Sequence, residues 1–520
     1  MFTKSDNFKG EYCAQVVKIG PLEPIENSDF LVKAVIGAGY QVVVGKNDVK
    51  EGDVMVYAKV ETELNQEFLS VNNQYELSER HLNKNFEEVQ ALIDDGKVDE
   101  AKKLVGYFNK HGRVRIVKLR GCPSEGCLFT IDSIKKWKPE VENFDFEQCF
   151  QPNEEGVVEP FNFDTIGNDL FCKAYVPRIN MPSARKDRAE KRNRKIKRFN
   201  RMVEGQFSFH YDTSQLADNM WRINPDTMVT ISVKVHGTSH IVGNLLVKKP
   251  KYGIGSRIQA KKISKKIRGA RRWPTRFYWQ RDIKKKKLAA LQSILDNQYT
   301  LDYGNVTSSR GVIKNQYINR GPQNHFYGQD IWSEYGAKLF PYLLKGMTVY
   351  SEICGYVGKT TSMIQKGYDY GCNPGESFIM PYRITFTDEN GDRTEWEVTE
   401  VYGWTKKLLE EHPEAASWLK PINILYHGTL GALYPDLSRE EHWNQNVLGK
   451  LREDTQLLGM ELNEPMCKNK VPREGVVIRI DNDIRSEAFK LKTYKFLGKE
   501  AELIDKGEVD IEMQDAYAEV

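Results

Sequence analysis

Over the first third of the chain, short apolar-rich runs alternate with turn-forming residues. Residues 12–19, 30–36, 40–44 and 54–60 are rich in β-branched and aromatic side chains, and Gly20-Pro21, Asn27-Ser28, Gly37-Ala38-Gly39 and Glu51-Gly52-Asp53 punctuate them. Such runs predict short strands joined by tight turns. The period then changes. Leu82, Phe86, Val89 and Leu92 recur at helical spacing, and Val98, Ala101, Leu104 and Val105 continue the pattern before β character returns at 112–119. From 205 to 500 the texture is mixed, with β runs at 230–235 and 348–353 and helical stretches such as 404–411. The pattern predicts an α+β protein: a β-barrel module with a helical insertion over 1–155, a connector over 156–204, an α+β domain over 205–500 and a tail over 501–520.

A chain of 520 residues is too long for one compact core, so two or three domains are expected. No run of eighteen apolar residues occurs, which argues against a membrane span, and the start lacks the apolar stretch of a secretory signal. The eight cysteines are dispersed; Cys122 and Cys127 come nearest to a pair, but no second Cys or His pair accompanies them. Free thiols in a reducing, cytoplasmic compartment are the expectation.

Charge changes the picture. Residues 185–201 hold ten Lys or Arg against two acids, and residues 248–287 hold seventeen against the single acid Asp282. These stretches carry +24 of a net +4, so the remainder carries −20. A mildly acidic body with two concentrated basic stretches points to a polyanionic partner; solvated charge runs are the plainer alternative. Trp273, Phe277, Tyr278 and Trp279 interleave the second stretch and could stack on bases, which favours nucleic acid. That stretch, over about 248–303, interrupts the α+β domain as a basic insertion.

The candidate chemistry is spread along the second half. Lys234-Val235-His236-Gly237-Thr238-Ser239 follows a β run and ends in turn-forming residues. Val349-Tyr350-Ser351-Glu352 places a carboxylate at a strand end, and Tyr382 in Tyr382-Arg383-Ile384 places an aromatic in a strand. Arg473-Glu474-Gly475-Val476-Val477-Ile478-Arg479 puts another carboxylate before a strand, and Phe489-Lys490-Leu491-Lys492 aims two lysines at one face, because strand side chains alternate. Each piece alone is weak, and a lone Lys-x-x-Gly is most simply a surface lysine before a turn.

In combination and in this order, the set resembles the covalent nucleotidyltransferase superfamily of ATP-dependent ligases and capping enzymes. Within it, the chain is most similar to the RNA ligase branch that carries an N-terminal OB module, and residues 12–60 resemble such a module. Short strands closed by Gly turns also suit an OB-type barrel on their own, used either to grip nucleic acid or only for packing. The resemblance implies an OB-type β-barrel followed by an α+β nucleotidyltransferase (adenylyltransferase) domain. It implies Lys234 as the nucleophile, with His236 and Gly237 completing its motif. It further implies nucleotide contacts from Glu352, Tyr382, Glu474, Lys490 and Lys492, with Tyr382 stacking on adenine and Glu474 also serving the metal. Arg310, in Thr307-Ser308-Ser309-Arg310, resembles the phosphate- or ribose-contacting arginine; Arg257 competes for that role from inside the insertion. The implied cofactors are ATP and Mg²⁺ (or Mn²⁺), and the implied partner is RNA, including an RNA/DNA hybrid duplex.

The implied chemistry explains the residue types. An ordinary lysine, with a pKa of about 10.4, is almost wholly protonated at neutral pH. Burial and nearby cations favour the neutral amine needed to attack the α-phosphorus, and the same cations neutralise charge building on phosphate oxygens. Two departures stand out: His236 occupies a position where relatives usually carry Asp, and Arg383 follows Tyr382 where many carry an acid. Gly355-Tyr356-Val357-Gly358-Lys359-Thr360 mimics the end of a P-loop, but the required earlier glycine is Ile353. Only 28 residues follow Lys492, too few for the C-terminal OB domain of DNA ligases and capping enzymes. The rival readings are a GTP-using capping enzyme, a DNA ligase, and a non-catalytic RNA-binding protein on a ligase scaffold.

Overall fold

The computed structural model describes the chain except residues 38, 155, 178–198, 212, 252, 273–277, 297–298, 319–326, 441–442, 482–486 and 508–520. The basic run at 185–201 therefore lies outside the described residues as far as 198, as do Trp273, Phe277, most of the tail, and the side chains of Arg257, Tyr278 and Trp279.

The N-terminal module is a curled antiparallel sheet in the order Tyr40–Gly45, Leu31–Ile36, Ala14–Pro24, Val54–Ala58, Cys127–Thr130. The long strand Ala14–Pro24 serves two neighbours: residues 14–18 pair with Val54–Ala58, and a register shift between Ile19 and Leu22 turns the rest toward Leu31–Ile36. Such irregularities bend a strand and sharpen its twist. The two ends of the sheet approach where Glu125 N–H donates to the Gln41 carbonyl at 2.9 Å. Helices at Phe86–Asp94 and Val98–Lys103 fill the segment where helical spacing was read.

Two expectations need correcting. Residues 112–119 form a strand only at Val117–Leu119, because Arg113 turns inward to Glu61 at 2.7 Å and to Asp505 at 2.7 Å, and the backbone around it pairs irregularly with 61–64. The N-terminal module also continues past 155: Phe161–Phe163 pairs with the start of Ala14–Pro24, Thr165–Ile166 with Phe2–Thr3, and Cys172–Ala174 with Thr62–Leu64. Those strands are two or three residues long, too short to show an alternation in sequence.

The second half holds two five-stranded sheets. One has the order Ser214–Gln215, Glu487–Lys492, Gly475–Ile480, Met228–Lys234, Ile424–Thr429; the other has the order Tyr299–Ser308, Thr238–Pro250, Met347–Gly355, Ser377–Thr387, Arg393–Glu395. Central strands such as Met347–Gly355 are buried at every position, which is why they read as unbroken β-rich runs. The helix Val398–Glu411 seats Val401 and Leu408 in the core beneath the second sheet. Between two strands of that sheet, the basic stretch holds two helices that pack against each other, Gly253–Arg271 and Tyr278–Asp296.

Core packing does not respect the division between the halves. Val17, Ile19, Tyr40 and Met55 of the N-terminal sheet share one apolar cluster with Leu448, Leu451, Ile478 and Phe489. Beside it, Arg452 makes a buried ion pair with Glu125 at 2.7 Å. All eight cysteines are free. Among the described residues no helix is long and apolar enough to cross a membrane.

Candidate active site

Lys234 is the last residue of its strand, and Thr238 is the first of the next, in the other sheet. The Val235-His236-Gly237 turn is thus the junction between the two sheets. Its tightness is dictated by neighbours: a Cβ on Gly237 would sit 2.3 Å from the Ile353 carbonyl oxygen and 2.8 Å from Glu352 Cγ. Any larger residue must push the turn off the strand Met347–Gly355. Gln365 Nε2 donates to the Gly237 carbonyl at 2.7 Å, and the His236 N–H donates to the Tyr370 hydroxyl at 2.6 Å, so the turn is fixed from behind.

Strand register then assembles the charged groups. Lys234 stands opposite Gly475, which is in turn opposite Lys492, so Glu474 lies between the two lysine-bearing strands. Gly475 has φ of 149° and no room for a Cβ, which would meet the Leu491 carbonyl oxygen at 2.1 Å. Lys234 Nζ, on a side chain 21% exposed, contacts Glu474 Oε1 at 2.7 Å on a side chain 4% exposed. His236 Nδ1 is 3.7 Å from Glu474 Oε2, and its ring packs edge-on against Tyr368 and Phe496.

A cavity of about 580 Å³ opens here. Lys234, His236, Glu474, Lys490 and Lys492 line one side; Arg310, Glu352 and Tyr382 line the other. Gly237 stays off the wall, packed against Ile353 and Glu352, and the side chain of Arg257 lies outside the described residues. The N-terminal module completes the enclosure with Lys9, Glu11, Tyr12 and Lys59.

Both late lysines are already paired. Lys490 Nζ meets Glu11 Oε1 at 2.6 Å, and Lys492 Nζ meets both oxygens of Glu500 at 2.9 Å. Burial works to lower the Lys492 pKa, but the Glu500 and Glu474 carboxylates more than offset it and hold the ammonium above the ordinary lysine range.

Several participants escaped sequence reasoning. His210 Nδ1 lies 3.0 Å from the Tyr382 hydroxyl, fixing the ring that faces the cavity. Desolvation in the wall, then the charges of Arg310, Arg383, Lys234 and Lys490, push the His210 pKa well below the usual histidine value. Arg479 holds the same tyrosine by its backbone, with Nη1 donating to the Tyr382 carbonyl at 3.2 Å. Arg383, where an acid was expected, is buried at the cavity wall and donates to Glu395 at 2.7 Å. The only available signal for His210 was its place in the alternation Phe207, Phe209, Tyr211.

The donor set fits a hard divalent cation that keeps most of its water. Glu474 Oε2 is buried with no hydrogen-bond partner, an orphaned acceptor aimed at the junction. Among the described residues no group of three or more His, Cys, Asp or Glu could hold a metal by itself. A metal here would draw its remaining ligands from water and phosphate oxygens, which is the habit of Mg²⁺.

No family model matches the chain, and no curated protein sequence matches it. Solved structures of an RNA ligase from Naegleria gruberi do align with it at 14% identity: with pyrophosphate, over 94% of this chain and 99% of that one with a TM-score of 0.46, and as a mutant with ATP and Mn, over 94% and 98% with a TM-score of 0.46. A further mutant of that protein with AMP and Mn aligns over 94% and 98%, again with a TM-score of 0.46.

Proposed function

We propose that this protein is an ATP-dependent RNA ligase that joins 5′-phosphate to 3′-hydroxyl ends through a lysyl-AMP intermediate on Lys234. The observation that carries the reading is convergence: eight side chains, scattered from Lys234 to Lys492 and singled out by residue type and order, line one cavity. Its volume is in the range of small-molecule sites, and its wall combines an aromatic, two acids and a set of cations.

In the first step the Lys234 amine attacks the α-phosphorus of ATP; a P–N bond forms, the P–O bond to the β-phosphate breaks, and pyrophosphate leaves with the bonding electrons. A carboxylate in contact favours the charged form of an amine, so Glu474 must be released from Lys234 before attack. A divalent cation held by Glu474 would supply that release and neutralise phosphate charge. Lys490 and Lys492 stabilise the oxygens on which charge accumulates. Tyr382, braced by His210 and Arg479, offers a face for the adenine, and Glu352 accepts from the ribose hydroxyls. AMP then passes to a 5′-phosphate, and a 3′-hydroxyl attacks that phosphate to form the phosphodiester and expel AMP. The N-terminal module is read as an OB barrel that closes the cavity and contacts nucleic acid.

Incubation with labelled ATP and Mg²⁺ tests the reading directly. Acid-stable label on Lys234, absent from Lys234→Ala, is the expected result. The same variant should still seal ends that already carry AMP. Label on another lysine, or preference for GTP, overturns the assignment.

A further inference from the structure

The strand Thr238–Pro250 begins at the nucleophile's turn and runs away from it. Residues 238–243 pair with Met347–Gly355, and the strand pairs with Tyr299–Ser308 out to Pro250 opposite Tyr299, with Met202 bridging Val247 on its other side. Twelve steps of extended chain reach at most about 40 Å at ~3.3 Å per residue. The helices Gly253–Arg271 and Tyr278–Asp296 form an arm at the far end of this strand pair.

The first helix buries Ile267 and Ala270, whereas Ile283 and Ile294 of the second are about half exposed. The outward side of the first carries Lys261, Lys265, Arg268 and Arg272, at helical spacings of four, three and four, and the second exposes Lys285 and Lys286. The two helices pack against each other, which brings these cations together.

We propose that this arm is a second nucleic-acid contact, gripping the backbone of a double-helical RNA segment remote from the ends being joined. A stiff duplex spans the separation from Lys234 without the entropy loss of ordering a flexible strand. Because A-form RNA rises less per pair than the ~3.4 Å of B-DNA, the arm would meet it at about 12 pairs or more from the break. The inference rests on the ligase reading of the cavity, because that reading sets where the break lies.

Pro250 and Tyr299 are cross-strand neighbours, so residues 251–298 can be replaced by a two-residue Asn-Gly hairpin turn with the sheet register kept. Wild type and this variant would be compared, as full chains, for binding to nicked RNA duplexes of about 6 to 24 pairs on each side of the nick, over a range of salt. Wild-type affinity is expected to rise with duplex length until the arm is reached, with a steeper salt dependence on long duplexes. The variant should bind short and long duplexes alike, at the wild type's short-duplex affinity, a loss of tenfold or more on long ones. Each lost phosphate contact removes about 0.7 to 0.9 from the log–log salt slope. An equal loss on short and long duplexes, no loss at all, or the same length dependence on single strands overturns the proposal; a partner such as an acidic protein would give the second result. Binding is measured with unreactive ends, so it reports on the arm even if no enzyme–AMP forms, an outcome that would count against the cavity reading alone.

Discussion

Glu11 and Lys490 are 479 residues apart in sequence and meet at 2.6 Å, the carboxylate of the N-terminal module lying on a lysine of the cavity wall. A phosphate group approaching Lys490 has to displace that carboxylate. On the proposed reading of the cavity, the N-terminal module competes with the nucleotide for the same cation.

Glu11→Gln should accordingly strengthen ATP use. A part-exposed ion pair is worth about 0.2–1 kcal/mol, so the gain in kcat/KM for enzyme–AMP formation should be at most about fivefold. Lys490→Ala, by contrast, should slow that step by about 10²–10³-fold, the usual effect of deleting one electrostatic donor. Single-turnover formation of the labelled adduct measures both. Equal losses in the two variants would mean that the pair is structural.

His236 stands where an acid would put two carboxylates side by side, because its Nδ1 is 3.7 Å from Glu474 Oε2. His236→Asp should therefore be impaired at low Mg²⁺ and recover as the metal concentration rises, since like charges this close need a cation between them. His236→Ala should not recover. Adduct formation titrated with Mg²⁺ separates the two, and a metal-independent defect in both would show that the imidazole itself is required.

Acid stability turns on buried histidines. His240 is fully buried between Ser351 Oγ at 2.9 Å and the Trp332 carbonyl at 3.2 Å, and burial lowers its pKa to about 4. An unfolded histidine titrates near 6.5, so between 6.5 and 4 the unfolded chain binds the additional proton. Stability is full above that window and is lost as pH falls through it, by up to roughly 3 kcal/mol from this site. His210, also pushed down, adds to the same slope. Denaturant midpoints from pH 7 to 4.5 should fall steeply in wild type and less steeply in His240→Gln; parallel curves would refute this.

Glu125→Ala leaves Arg452 as a buried unpaired charge beside the interface of the two halves. Breaking a buried pair from one side typically costs about 3–5 kcal/mol, whereas replacing both partners by apolar residues is often neutral. Glu125→Leu combined with Arg452→Met should thus be more stable in urea than Glu125→Ala. The reverse order would mean that the remaining contacts of Arg452, to the Gly39 carbonyl and the Tyr494 hydroxyl, dominate.

Sequence reasoning reached the strands that carry Lys234, Glu352 and the Lys490–Lys492 pair because each is short, β-rich and bounded by a glycine or a charge. It also reached the shared face of Lys490 and Lys492, since alternation is a property of any strand. It read the helix Val398–Glu411 only from residue 404, because the N-cap is Glu397, which forms a capping box with Glu400 in place of the usual Ser, Thr, Asp or Asn. Glu11 and His210 were out of reach for another reason. Each acts through a partner more than 170 residues away, and no local period encodes such a meeting.

The apolar cluster that joins Tyr57 to Leu448 has a consequence for synthesis. Translation at roughly 5–20 residues per second leaves on the order of 20–80 s between the emergence of those two residues. Throughout that interval the finished half of the nascent chain presents Val17, Ile19, Tyr40 and Met55 with no surface to receive them. The length of that wait exposes the newly made chain to aggregation however stable the completed protein is.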